Sequence, residues 1–173
     1  MRPDLHLGDR DMRNGLVGLA ALLLLPSPHF ASAQTQASRY INPASLTKPN
    51  GYTHVVVAPD NRTVYVAGQV ALDSTGQLVG GSDFKAQAQR VYENLRRALT
   101  SVGGSLDDVV KTTTFITDLR NLPTLREVRA QLSQRSGRPP ANTLVVVSSL
   151  ARPELMIEVE AIAVLRGSVR FAE

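Results

Sequence analysis

The sequence predicts an α+β domain, one β-sheet with two helices packed on one face. Three observations carry this. Period-two and β-branched stretches alternate with two stretches of helical period, in the order strand, strand, helix, strand, helix, strand, strand. Each helical stretch has a single apolar stripe, so both helices need a surface to cover. The closing stretch, residues 139–165 (PPANTLVVVSSLARPELMIEVEAIAVL), reads as two strands joined by a short loop.

The fold does not begin at the amino terminus. Residues 16–25 (LVGLAALLLL) form an unbroken apolar run, followed by Pro26-Ser27-Pro28 and then Ala31-Ser32-Ala33. A short apolar core ending in an A-x-A site is the pattern of a secretory signal peptide, with cleavage expected between Ala33 and Gln34. The run is too short to span a bilayer, which needs about 20 residues. Asp4, Asp9 and Asp11 suit a signal poorly, whereas a start at Met12 gives a conventional basic opening. The expected division is signal peptide 1–33, extended arm or linker 34–46, domain 47–166 and tail 167–173. A periplasmic or secreted location follows, with no membrane attachment after cleavage.

Residues 51–57 read as the first strand, ended by the turn cluster Ala58-Pro59-Asp60-Asn61. Residues 63–72 (TVYVAGQVAL) give a second strand, plausible as a hairpin partner. Gly68 inside it marks a bulge or a close approach of another group. Phe84, Ala88, Val91, Leu95, Leu99 and Val102 recur at helical spacing. Ser82 or Asp83 can cap that helix, and Gly103-Gly104 can stop it in a left-handed turn. Residues 109–117 (VVKTTTFIT) are a β-branched strand. Asn121-Leu122-Pro123 opens a second helix, with Leu122, Leu125, Val128 and Leu132 on one face and a close near Gly137. In the last strand Leu155, Ile157, Val159, Ala161 and Ala163 point one way. Met156, Glu158, Glu160, Ile162 and Val164 point the other. Two carboxylates on so apolar a strand are either a partly solvated face with a salt bridge or the wall of a pocket.

Composition excludes several chemistries. The 173 residues, 43% hydrophobic, suffice for one domain with a real core but not comfortably for two. There is no cysteine, so disulfides, thiolate metal sites and a Cys nucleophile are excluded. Of three histidines, only His54 lies beyond the leader, and a lone histidine beside a strand start reads as a polar edge residue rather than a zinc or triad member. The +4 net charge is scattered. Arg126, Arg129, Arg135 and Arg138 fall in or just after the second helix, interleaved with apolar positions, as on a solvated helix face. With few aromatics to stack on, nucleic acid is not an expected partner. Val64, Val66, Val70, Val145, Val147 and Ile162 cannot all be hidden by two helices, so a homo-oligomer is expected.

Together, Tyr65-Val-Ala-Gly-Gln69, the Asp73-to-Gly76 turn, Asp108-Val-Val-Lys111-Thr, Phe115-Ile-Thr-Asp118-Leu, Pro140-Ala-Asn-Thr143 and Ile157-Glu-Val-Glu-Ala-Ile-Ala163 resemble the Rid family. This is the reactive-intermediate deaminase or YjgF-like group, and the resemblance covers roughly residues 41–165. It implies a chorismate-mutase-like fold assembled as a homotrimer, with small-molecule clefts between subunits. It also implies, for the best-understood branch, hydrolysis of enamines and imines derived from amino acids, such as 2-aminoacrylate, to 2-keto acids and ammonia, without metal or cofactor. Glu158 matches the family's active-site glutamate, Tyr52 a cleft-lining tyrosine, and Gly68 a cleft glycine. The carboxylate-binding arginine of the family is Asn142 here, the expected serine is Ala67, and a frequent cysteine is Leu144. An amide offers only neutral hydrogen bonds, roughly half as strong as the charge-assisted contact. Arg152 and Arg138 are candidates to replace the missing guanidinium. Two functions follow: an exported imine or enamine hydrolase of altered specificity using Glu158, or a non-catalytic trimer that binds a metabolite or a protein. A purely structural role is a further alternative for both glutamates, with Glu160 the better candidate as an interface salt bridge.

Overall fold

The computed structural model describes residues 37–60, 62–132 and 139–166, which fall in one compact unit. The leader and its cleavage site, the 167–173 tail, and Arg135, Gly137 and Arg138 lie outside the described residues. Six strands form one sheet: β1 (Arg39–Ile41), β2 (Val55–Val57), β3 (Thr63–Val70), β4 (Val109–Ile116), β5 (Ala141–Val146) and β6 (Ile157–Val164). Two helices, α1 (Phe84–Thr100) and α2 (Leu122–Leu132), separate β3 from β4 and β4 from β5. The strand order is β1-β2-β3-β6-β4-β5, antiparallel except for the parallel β4–β5 pair. A parallel pair needs a crossover connection, and α2 supplies it.

One face of the sheet carries the core. Val64 and Val66 from β3 and Ile157, Val159, Ala161 and Ala163 from β6 are buried, as are Val91, Leu95 and Leu99 of α1 and Leu125 and Val128 of α2. The expected alternation along β6 holds: its core-facing residues are buried, and Glu158, Glu160, Ile162 and Val164 are half-buried or exposed. Helix α1 starts where Asp83 accepts hydrogen bonds from the Lys85 and Ala86 amides, 2.8 and 3.2 Å. It stops where Gly103 takes a φ of +75° and the Gly104 amide returns to the Leu99 carbonyl at 2.9 Å.

Four expectations change. The first strand is shorter than residues 51–57: Gly51 has a φ of +76°, and the His54 amide donates to the Asn42 side chain instead of entering a ladder. His54 itself is buried, with ring hydrogen bonds to the Thr47 carbonyl and the Gln69 amide, so it pegs a loop to β3 and is no edge residue. Within the arm assigned to residues 34–46, β1 pairs with β2 and Leu46 enters the core. The two closing strands are not neighbours, because β4 lies between them. The connection over residues 147–156 is long enough to carry the chain past β4, which a tight hairpin turn cannot do.

Candidate active site

The face of the sheet away from the helices is crossed by rows of side chains set by strand register. One row runs from Val70 through Glu158 to Phe115 and Val145. The β3–β6 register shifts between Val66 and Gln69, leaving Ala67 and Gly68 as a bulge. A Cβ at Gly68 would lie 1.8 Å from Glu158 Oε1, so the glycine makes room for that carboxylate. Glu158 is half-buried and accepts no hydrogen bond from any described residue. Burial, and secondarily the neighbouring Glu160, push its pKa above the usual carboxylate value. A carboxyl that holds its proton more tightly than usual, beside a glycine-lined gap, suits proton transfer at a small substrate.

Two predictions arise from this geometry. Gly68→Ala should swing the flexible Glu158 carboxylate aside at little cost to the fold, and a misplacement of about 1 Å is worth on the order of 10²-fold in rate. Turnover should therefore fall far more than the unfolding midpoint; equal loss of both would assign Gly68 a packing role. For pH, the folded state binds the Glu158 proton more tightly than the unfolded chain does. Its contribution therefore favours folding at acid pH and is lost as pH rises from the ordinary carboxylate range through the raised value. Glu93 acts oppositely: the Arg96 guanidinium holds it down to about 2, so its contribution is lost on acidification. Denaturation as a function of pH should show that Glu158→Gln removes the decline on the rising limb and leaves the acid limb unchanged.

The same face holds a cleft of about 360 Å³ lined by Tyr65, Ala67, Lys111, Thr113 and Glu160 among others. Lys111 Nζ donates to Thr143 Oγ1 at 2.5 Å, which fixes an ammonium on this face. Sequence reasoning did not single out Lys111 as a site residue. The available signal was one cation in the otherwise uncharged strand VVKTTTFI.

Asn142 and Leu144 lie elsewhere. In the parallel register Asn142 is opposite Thr112 and Leu144 opposite Thr114, both buried on the helix-facing side. Asn142 Nδ2 donates to Thr112 Oγ1 at 2.8 Å and to Thr114 Oγ1 at 3.2 Å. Within one chain, Asn142 and Glu158 are therefore on opposite faces of the sheet, and the expected amide–carboxylate cleft is not formed by a single subunit. Tyr52 precedes β2, half exposed, with its ring edge-on to His54 at 5.1 Å. Of the proposed replacement cations, Arg152 is engaged with Glu154 and the Gly76 carbonyl. The guanidinium beside Asn142 is instead Arg129, assigned to a solvated helix face but half-buried here. It donates from Nη1 to Asn142 Oδ1 at 3.3 Å, from Nη2 to Thr114 Oγ1 at 2.5 Å and from Nε to the Tyr92 hydroxyl at 2.7 Å. No cluster of three or more potential metal ligands occurs among the described residues. Nor is any helix among them long and apolar enough to cross a membrane.

This sheet, helices on one side and a glycine-backed carboxylate on the other, places the chain in the chorismate-mutase-like class of α+β proteins. A family model described as Endoribonuclease L-PSP matches residues 43–165. The chain is 42% identical over 101 residues to a RutC family protein of Pyrococcus abyssi, covering 58% of this chain and 76% of that one. It is 38% identical over 105 residues to the 2-iminobutanoate/2-iminopropanoate deaminase of Mus musculus, covering 60% and 75%. The crystal structure of RidA from an Antarctic Psychrobacter superposes with a TM-score of 0.67 at 32% identity, covering 73% of this chain and 99% of that one. The chain belongs to this family, the Rid or YjgF-like group.

Proposed function

We propose that this chain is an exported Rid-family hydrolase that adds water to the C=N bond of a small imine or enamine, using Glu158 for proton transfer. The observation that carries the reading is the unpartnered, half-buried Glu158 carboxyl over Gly68. The relationship to the murine imine deaminase supports the same chemistry. An enamine first tautomerises to the imine. Water then adds to the imine carbon, giving a carbinolamine; proton transfer to nitrogen and loss of the hydroxyl proton release ammonia and a carbonyl compound. Glu158 takes the proton from water and returns it to the leaving nitrogen. Tyr65, Val145 and Val164 leave apolar surface exposed on the Glu158 face, which supports assembly into a trimer with that face toward neighbouring copies. Export rests on the apolar run and the Ala31-Ser32-Ala33 site.

Specificity is expected to differ from that of a 2-imino-acid enzyme, because position 142 carries an amide, limited to neutral hydrogen bonds, in place of the family's carboxylate-binding arginine. Lys111 remains on the Glu158 face, but a lysine is a point charge and does not clamp a carboxylate in two-point geometry. Ammonia release should therefore be faster from a small uncharged imine than from freshly generated 2-iminopropanoate, each corrected for spontaneous hydrolysis. Equal or faster turnover of 2-iminopropanoate sinks the specificity reading. No protein-dependent turnover of any imine leaves the non-catalytic metabolite binder in its place.

A further inference from the structure

We propose that His54 is a positioning residue for Glu158: acting through Gln69, it sets the shape of the β3 bulge whose gap seats that carboxyl. The bulge has an interior side as well as an open one. Its extra residue turns β3 inward again at Gln69, so that Val66 and Gln69 are both buried. Without it Gln69 would share the open face with Tyr65 and Ala67.

Ala67 is held at both of its backbone groups by this interior pair. Its amide donates to the His54 carbonyl at 2.9 Å, and its carbonyl accepts from Gln69 Nε2 at 2.9 Å. The same Gln69 nitrogen lies 3.3 Å from His54 Nδ1, and the other ring nitrogen, Nε2, lies 2.8 Å from the Thr47 carbonyl. A carbonyl only accepts, so Nε2 carries the ring proton and Nδ1 accepts from Gln69. With the proton on Nδ1 instead, the Gln69 amide would have to turn its oxygen to the ring, and the Ala67 carbonyl would lose its donor. His54 is anchored in turn: its amide donates to Asn42 Oδ1 at 2.9 Å, and the Tyr52 ring packs edge-on. No ion pair among the described residues involves it, so it acts by geometry rather than by charge. Gly68 follows Ala67 directly, and Glu158 Oε1 lies where a Cβ on that glycine would stand. Accepting no hydrogen bond from a described residue, Glu158 takes its place from the walls of this gap. A displaced Ala67–Gly68 peptide therefore displaces the carboxyl. The consequence for turnover rests on the proton-transfer reading of Glu158; the claim about position does not.

His54→Phe keeps a ring of similar breadth and deletes both ring hydrogen bonds, whereas His54→Gln keeps one donor and one acceptor. In folded His54→Phe, the carboxyl carbon NMR resonance of Glu158, assigned by its loss in Glu158→Gln, should titrate closer to the ordinary carboxylate range, because a relaxed gap admits water. Steady-state hydrolysis of a small imine should fall by about tenfold or more with KM little changed. His54→Gln should restore both readouts, which a loss of packing alone would not explain. In the unaltered protein, nitrogen NMR of the His54 ring should place its proton on Nε2, a result that needs no variant to fold. A Glu158 titration unmoved in His54→Phe, no recovery in His54→Gln, or a ring proton on Nδ1 overturns the proposal. A titration that moves in a protein without imine turnover supports the positioning role and removes only the hydrolase reading.

Discussion

Replacing Glu158 by glutamine is expected to lower imine hydrolysis by about 10²–10⁴-fold, the usual share of general acid–base catalysis. Glutamine keeps the volume that fits over Gly68 and can orient a water, but it cannot take up or release a proton. The fold should not suffer, because the substitution removes a half-buried charge that accepts no hydrogen bond. Glu160→Gln is the matched control, changing an exposed carboxylate two residues away on the same face. It should cost less than about tenfold, in line with a surface electrostatic effect. Steady-state ammonia release, read beside thermal unfolding, distinguishes the two. Residual activity above a tenth in the Glu158 variant would remove this residue from the proton-transfer role.

The largest effect on stability is expected at Gln87, a polar side chain wholly buried in α1. Its Nε2 donates to the Gly81 carbonyl at 2.6 Å and to the Glu154 carbonyl at 2.9 Å, and its Oε1 accepts from the Met156 amide at 2.9 Å. One amide thus ties the start of the helix to the loop that delivers the chain into β6. Gln87→Met preserves length and approximate volume but strands three backbone groups, each worth about 1–3 kcal/mol when left unpaired and buried. A loss of about 3 kcal/mol or more is expected in denaturant titrations, roughly a hundredfold in the folding equilibrium. A loss below about 1 kcal/mol would mean that water replaces the amide without difficulty.

The faces of β6 could be read directly from the sequence, because alternation along one strand is a local property. So could the start and stop of α1, where Asp83 and Gly103 act through nearby backbone groups. The split between Asn142 and Glu158 was not legible. Which face a residue on β5 shares with one on β6 depends on register through β4, and a one-residue change in that register reverses the answer. Recognition of the Pro140-Ala-Asn-Thr143 motif singled out position 142 but carried no information on which face of the sheet it occupies. Arg129 escaped for a related reason. Its place among other arginines marked a wet helix face, whereas the buried hydroxyls of Tyr92 and Thr114, remote in sequence, draw it inward. Gly68 was legible as a bulge, but not that the bulge exists to seat one carboxylate.

The two margins of the sheet are unequal. On one side β1 is only three residues long and carries Arg39, a short and charged border. On the other, β5 runs six residues with exposed Val145 and Val146 and no ionisable side chain, so its outward amides and carbonyls offer a template for another extended chain. An extended segment that paired there would also cover the β-branched side chains at positions 145 and 146. The rim of β5 is thus the margin of the sheet on which pairing by another extended chain is least opposed.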